Sequence, residues 1–284
     1  MAYGSPERLD DVPAYYSDIR GGRPIRPELL EDLVARYRAL GIEDESPLNA
    51  ITEETRSALE RALEDTPVFT GMKHWTPRIA EAADRAVAGG ADTVVGLVLA
   101  PHFSELSIGG YREQLEAAVA DRAELVFIDS WHDEPGFIDV LADRIRGTDA
   151  HVVFTAHSLP SRAAPVYKEQ LLETSERVAE RAGVEEWSFS FQSESPTGEP
   201  WLGPDILDHL TDLQARGVKS VLVCPVGFVA DHLEIRWDLD REATEKAEEL
   251  GLRFSRIAMP NADPAFVGVL AKLVRRVLAV PLRA

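Results

Sequence analysis

Asp231, His232 and Glu234 follow the apolar run Val221-Leu-Val-Cys-Pro225, across a break at Pro225 and Gly227. Groups that move protons or hold metal ions thus stand where a strand ends and helical periodicity begins. Open α/β sheets carry their sites at such places. The acidic pattern continues. Asp231, Glu234, Asp238 and Glu242 are spaced by three, four and four, so on a helix they share one face. Four like charges on one stripe repel, and water, arginine neighbours or a bound cation must offset the cost. Oxygen ligands of this kind suit hard divalent cations or transient Fe²⁺. A solvated acidic face is the plainer alternative.

A second turn, Val152-Val-Phe-Thr-Ala-His157-Ser-Leu-Pro160, ends another apolar run in a histidine. A neutral imidazole accepts a proton near neutral pH or ligates a metal. Beside a carboxylate it makes one base and one charge-balancing partner. That pair suits removal of protons from weakly acidic N–H groups while a metal enters, and equally suits simple metal binding. Near the start, Tyr3, Tyr15, Tyr16, Arg20, Arg23, Arg26, Arg36 and Tyr37 cluster around the loop Ile19-Arg20-Gly-Gly-Arg23-Pro. Arginine forks grip carboxylates bidentately. A flat apolar ligand with carboxylate arms fits such a lining; the alternative is an exposed loop whose arginines pair with nearby acids.

The elements that position these turns alternate between strand-like and helix-like, which predicts a parallel α/β architecture. Helices are predicted at Pro27–Leu40, Glu53–Leu63, Pro77–Ala88, Tyr111–Ala120, Tyr167–Ala182, Asp205–Ala215 and Arg241–Leu250. Strands are predicted at Thr93–Leu99, Leu125–Asp129, Val152–Ala156, Trp187–Phe191, Ser220–Pro225 and Arg253–Ile257. They are short and rich in apolar residues, as buried parallel strands are.

The halves also repeat one another. Pro77 and Pro204 each follow an aromatic, Trp75 and Trp201, and each precedes a glycine by thirteen residues, Gly90 and Gly217, before a strand. A proline opens a helix and a glycine closes it. Ala2-Tyr3-Gly-Ser-Pro6 likewise parallels Ala156-His157-Ser-Leu-Pro160. The expected architecture is two Rossmann-like domains, residues 1–147 and 148–284, facing a shared cleft, with the boundary near Arg146–Asp149. The parallel also requires a strand before Tyr3, where only two residues stand. Either that strand is truncated or translation starts further upstream; truncation exposes a sheet edge.

Bulk properties narrow the function. The 284 residues are 45% hydrophobic and 28% charged, ordinary for a globular protein. No apolar run reaches the roughly 20 residues that span a bilayer, and the start lacks the pattern of a signal peptide, so a cytoplasmic location without a membrane anchor is expected. The net charge of −19 disfavours nucleic acid as a partner and is read as solubility or adaptation to a salty cytoplasm. Cys224 is the single cysteine, which excludes an internal disulfide or an all-cysteine iron–sulfur site; within its apolar run it is read as a small buried hydrophobe. Neither Gly-x-Gly-x-x-Gly nor the Walker pattern occurs, so no nucleotide cofactor is indicated.

Together these stretches resemble the ferrochelatase family, and more closely the coproporphyrin ferrochelatases of Gram-positive bacteria. The resemblance covers nearly the whole chain. It runs through Met1–Pro6, Tyr15-Tyr-Ser-Asp-Ile-Arg-Gly-Gly22, Ser46-Pro-Leu48, Gly71-Met-Lys-His74 and Leu99-Ala-Pro-His-Phe-Ser104. It continues through Thr155-Ala-His-Ser-Leu-Pro160, Gln192-Ser-Glu194, Pro200-Trp-Leu-Gly-Pro204 and, most specifically, Pro225–Glu234.

The resemblance implies insertion of Fe²⁺, as substrate, into a porphyrin held between the two domains. It implies that His157 and Glu234 are the catalytic, metal-handling pair on one porphyrin face, and that Tyr3 approaches the iron from the other. Tyr3, Tyr16, Ile19, Arg20, Arg36, Tyr37, Ser46, Tyr111 and Trp201 would line the porphyrin site. Asp238 and Glu242 match an outer cation site, for Mg²⁺ or iron on its way in. Asp231 and His232 then become shape-holding neighbours. A monomer without an iron–sulfur cluster is implied, handing product to the next haem-pathway enzyme. The lead-in to Ser46, Ile-Glu-Asp-Glu-Ser, is more acidic than an anionic ligand favours. The expected reaction is iron insertion into coproporphyrin III, in haem biosynthesis. The alternatives are protoporphyrin IX as substrate, a non-catalytic haem- or metal-binding protein, and a cobalt chelatase of related type. The paired His157 and Glu234 argue against a pure binder, which needs no base.

Overall fold

A computed structural model describes residues 1–42, 46–195 and 198–279. The acidic lead-in at 43–45 and the end of the chain from 280 lie outside them.

The first half opens with helices α1 (Val12–Ile19), α2 (Pro27–Ala39), α3 (Pro47–Leu63) and α4 (Ile79–Ala88). Prolines 27 and 47 stand at the first turns of α2 and α3, where a missing N–H costs nothing. Then come β1 (Thr93–Leu97), α5 (Gly110–Val119), β2 (Glu124–Ile128) and α6 (Pro135–Ile145). β1 and β2 pair in parallel, Thr93 opposite Glu124 and Leu97 opposite Ile128.

The second half holds β3 (His151–His157), α7 (Pro165–Ala182), β4 (Trp187–Gln192), α8 (Ile206–Ala215), β5 (Ser220–Cys224), α9 (Thr244–Glu249), β6 (Arg253–Arg256) and α10 (Pro264–Leu278). Its sheet has the order β4-β3-β5-β6, and every pairing is parallel. β3 is central, buried at six of its seven positions. β3 and β5 therefore read as continuous apolar runs, and their carboxyl ends deliver both chemical turns to one edge.

All six predicted strands are present, shifted by one or two residues at their ends. Three helices escaped prediction: α1, α6 and α10. α1 carries Tyr15, Tyr16 and Ile19, so these side chains project from a helix. α10 packs against α3 and α6, both in the first half. One core runs through Leu59, Leu97, Trp131, Phe137, Phe154, Cys224 and Phe266. Cys224 is fully buried there, and burial pushes its thiol well above the ordinary range.

No named strand precedes Tyr3 among the described residues, but residues 1–3 occupy a strand position. The Met1 amine donates to the Leu97 carbonyl at 2.6 Å, and Leu99 N–H donates to the Met1 carbonyl at 2.9 Å. Ala2 bridges Met72 in parallel. Tyr3 is thus held by the first half as His157 is by the second.

Candidate functional site

His157 is the last residue of β3, and Glu234 begins the segment after β5. Their approach depends on Gly227. A Cβ there would come within 2.8 Å of the Ala156 Cα, so only glycine lets the turn after β5 lie against the end of β3. Gly227 N–H donates to the Thr155 carbonyl at 3.0 Å, which completes the contact. From there Asp231 is fixed by Arg256 at 2.8 Å and by Asn261 Nδ2 at 2.8 Å. Leu233 packs on the cluster of Val12, Tyr37 and Ile42, which ties α1 and α2 to this turn.

The result places His157 Nε2 3.4 Å from Glu234 Oε1. Each side chain keeps about a third of its surface open, 31% and 35%. The Ser158 carbonyl accepts from His157 Nδ1, which sets the tautomer and aims Nε2 at the carboxylate. Burial opposes a charge on His157, but the Glu234 carboxylate outweighs it and raises the imidazole to about 9. Burial likewise opposes ionisation of Glu234, and His157 and then His232 overcome it, leaving the carboxyl far below the usual range. The pair is an imidazolium and a carboxylate at neutral pH.

His232 is more than a shape-holding neighbour. Its Nε2 lies 3.6 Å from Glu234 Oε2 while Nδ1 donates to the Ala230 carbonyl at 2.8 Å. Glu234 therefore sits between two imidazoles. Asp231, tied to Arg256, is the structural member of the group.

The acidic stripe changes form. Ile235–Ala243 winds as a π-helix, with wider turns than an α-helix. Asp231 leaves the stripe for Arg256. Asp238 is buried and accepts from Gln192 Nε2 at 3.2 Å and from Ser193 Oγ. Burial and then the charge of Glu234 raise its carboxyl to about 6. Glu242 Oε1 accepts from Trp237 Nε1 at 2.7 Å. Asp238 and Glu242 thus bring two carboxylates already bonded to protein donors. Among the described residues no three His, Cys, Asp or Glu side chains converge into a metal cage. This falls short of a ligand set for a resident Mg²⁺.

The other predicted residues fall in two groups. Tyr3 is 40% exposed and packs at a tilt against His74, ring centroids 4.6 Å apart. Burial raises its phenol, and the charge of Glu234 is the next cause, which places the two in electrostatic contact. Tyr37 is buried with its hydroxyl 3.1 Å from Ser5 Oγ, and it too feels Glu234. Trp201 faces His157 at 6.4 Å between ring centroids. Tyr111 is buried beneath the Lys73 ammonium, 5.0 Å from its ring centroid. Tyr37 and Trp201 border the pair together with Tyr3, and Tyr111 lies near Tyr3. Tyr16, Ile19 and Arg20 gather at the end of α1, the Arg20 guanidinium 5.9 Å from the Tyr16 ring. Arg36 instead pairs with Asp32 at 2.9 Å and lies over Trp237 at 5.3 Å. Among the described residues, neither the buried Ser46 hydroxyl nor Arg20 Nε has a hydrogen-bond partner.

Sequence reasoning assigned no role to Asp18, Lys73 or His74. Asp18 accepts from His74 Nδ1 at 2.9 Å and from Arg78, holding His74 against Tyr3. The signal was the motif Gly71-Met-Lys-His74, quoted without a use for its two basic residues. Tyr167 was also missed; its hydroxyl donates to the His157 carbonyl at 3.2 Å.

A fold of parallel sheets whose strand ends carry facing histidine and carboxylate is that of a chelatase. SirB from Bacillus subtilis, solved with Fe³⁺, superposes with a TM-score of 0.62 at 14% identity, covering 82% of this chain and 92% of that one. CbiX, titled the terminal enzyme for biosynthesis of siroheme in denitrifying bacteria, gives 0.56 at 16% identity over 81% and 92%. At such identities the likeness concerns the fold alone. The ferrochelatase family pattern matches residues 1–278. A ferrochelatase from Herpetosiphon aurantiacus is 43% identical over 96% of both chains. A coproporphyrin III ferrochelatase from Geobacillus kaustophilus is 41% identical over 96% of this chain and 93% of its own. The chain belongs to the ferrochelatase family, lyases that insert Fe²⁺ into a porphyrin in haem biosynthesis. No described helix is long and apolar enough to cross a membrane.

Proposed function

We propose that this chain inserts Fe²⁺ into coproporphyrin III to give Fe-coproporphyrin III, with His157 and Glu234 as the pair that handles metal and protons. The observation that carries the reading is the 3.4 Å approach of His157 Nε2 to Glu234 Oε1, each about a third exposed, with Trp201 beside His157 and Tyr3 and Tyr37 within electrostatic reach of Glu234. Metal insertion must remove two N–H protons from the ring, and a base is required. His157 stays charged because the Glu234 carboxylate stands beside it. A cation arriving at Glu234 cancels the charge that holds the imidazolium, so His157 releases its proton to solvent and becomes a base as the metal comes in. Arrival of metal and release of the base are thereby coupled. An open pair also suits a metal in transit better than a closed cage, because the ion must leave for the ring.

Tyr3, held from the opposite half by Ala2 and backed by His74, is assigned to the far face of the porphyrin. Tyr16, Ile19, Tyr37, Tyr111 and Trp201 give apolar contact, and Ser46 a hydroxyl. Arg20, with its free Nε, meets propionates, as does Arg36 after leaving Asp32. Gripping the arms lets binding energy dome the ring and expose its nitrogens. Asp238 and Glu242 form an acidic path outward for the incoming cation. Residues 1–147 and 148–284 are read as the two cleft walls, and the enzyme as a cytoplasmic monomer that passes product to the next haem-pathway enzyme.

The coproporphyrin assignment draws on relatives so named at 39–41% identity. Coproporphyrin has four propionates and protoporphyrin IX two, so the alternative substrate keeps the chemistry and loses anchoring. Anaerobic Fe²⁺ insertion measured on both porphyrins tests the proposal. Preference for coproporphyrin III is expected; preference for protoporphyrin IX overturns the substrate, and no metallation of either overturns the activity. His157→Ala is expected to bind porphyrin and lose insertion; unimpaired turnover removes His157 from its role.

A further inference from the structure

Trp237 lies in the first turn of the π-helix Ile235–Ala243, and two arginines lie over its ring. The Arg241 guanidinium is 4.7 Å from the ring centroid and the Arg36 guanidinium 5.3 Å. Arg241 belongs to the same helix, whereas Arg36 reaches over from α2 in the first half. The contact extends a packed one. Leu33 of α2 and Leu233 both pack on the cluster of Val12, Tyr37 and Ile42. Arg36 stands three residues beyond Leu33, and Trp237 four beyond Leu233, spacings that share a helix face.

The ring is itself held. Its Nε1–H donates to Glu242 Oε1 at 2.7 Å. In an α-helix, residues five apart point about 140° away from each other. A π-helix, with hydrogen bonds from i to i+5, brings them onto one side. That winding lets Glu242 fix the plane of the indole.

Arg36 has room for a ligand. Among the described residues its hydrogen bond runs through Nε to Asp32 Oδ2 at 2.9 Å, and its side chain keeps 34% of its surface open. A guanidinium lying over a ring uses its face and leaves its N–H edge for a carboxylate. Exchange of Asp32 for a ligand carboxylate then involves the edge alone, and the face stays on the ring. A long side chain that is mobile beforehand must be immobilised when it grips a ligand, which costs affinity; one already held on an indole loses less.

We propose that Trp237 is a positioning residue: it presets Arg36 for a propionate of the porphyrin, with Glu242 fixing the plane of its ring. The inference rests on the reading that Arg36 meets a propionate, and adds the residue of the second half that holds Arg36 ready. One substrate anchor is thereby shared between the halves, and the helix that follows Glu234 carries part of it.

The test is binding of metal-free coproporphyrin III, followed by its absorbance, to the wild type, Trp237→Leu, Trp237→Phe, Arg36→Ala and the double variant Arg36→Ala with Trp237→Leu. No metal is present, so the result does not depend on insertion. Trp237→Leu is expected to raise Kd about twofold to fivefold, the size of a partly exposed cation–π contact. Trp237→Phe keeps a ring and should fall between the wild type and the leucine variant. In the Arg36→Ala background the leucine change should have no further effect, because Trp237 acts through Arg36. An equal loss in both backgrounds overturns the role of Trp237, as does tight binding by Trp237→Leu when Arg36→Ala binds weakly. An Arg36→Ala variant that binds as tightly as the wild type overturns the propionate assignment, and this proposal with it. Should Trp237→Leu fail to fold, Trp237→Met removes the ring in the same way.

Discussion

Replacing Glu234 by glutamine removes one charge and little volume. Opposite charges 3.4 Å apart attract by roughly 5 kcal/mol at an effective dielectric of about 20. Burial offsets part of this. The net effect on His157 is the difference between about 9 and the ordinary 6.5, which corresponds to roughly 3 kcal/mol at ~1.4 kcal/mol per pH unit. The gross attraction exceeds the net effect by about the cost of a partly buried charge, as it should. In Glu234→Gln the imidazole keeps its burial and its bond to the Ser158 carbonyl and loses the partner that raised it. His157 is therefore expected to titrate at or below about 6.5. The assay is an NMR titration of the histidine Cε1 protons, with His157→Ala identifying the resonance among seven. The linkage has a definite sign. A group raised in the folded state stabilises fully below its unfolded value and loses this as pH rises through about 9. Wild-type Tm should thus fall between roughly pH 6.5 and 9 more steeply than that of the variant. A His157 that titrates near 6.5 in both proteins refutes the pairing, and with it the coupling between metal arrival and release of the base.

Other predictions follow from neighbouring contacts. Gly227→Ala forces the turn off Ala156 and should cost about 1–3 kcal/mol in chemical denaturation, with slower metal insertion because Glu234 moves with the turn. Arg256→Ala strands Asp231, whose side chain is 17% exposed, and should cost about 2 kcal/mol. Unchanged denaturation midpoints would remove these contacts from the account. Asp238 binds its proton more tightly folded than unfolded, so it lowers stability as pH rises from about 4 to about 6. Asp238→Asn should flatten Tm against pH in that window, and an unaltered profile would mean that Asp238 titrates normally.

Much of this was legible without coordinates. Strand runs such as Val152–Ala156 and Ser220–Pro225 are apolar because both faces of a parallel sheet are covered, and that covering is written in composition. His157 and Glu234 became candidates because one ends such a run and the other follows the turn after one; the family resemblance then paired them. Helices α1, α6 and α10 were passed over. α6 and α10 carry a polar–apolar alternation at least as strong as that of α7 and α8, so their pattern was there to be read. The π-helix after Glu234 was invisible, since residue types there also suit an α-helix; Asp231 leaves the stripe because it lies before that helix, in the turn held by Arg256 and Asn261. The repeat pointed to a strand before Tyr3, but the bonds that hold Met1 and Ala2 in a strand position are main-chain bonds, which no side-chain pattern records.

The sequence by itself determined the parallel α/β class, the two chemical turns and the residues that carry family membership, because these depend on local periodicity and on motifs. Tertiary structure alone decided which groups meet. Gly227 lets one strand end lie against another, Leu233 ties α1 and α2 to the turn, and His232 proves to share Glu234 with His157. Proton affinities follow from those distances. A histidine of ordinary chemistry becomes one that holds its proton to about pH 9 only when a carboxylate from beyond another strand lies 3.4 Å away.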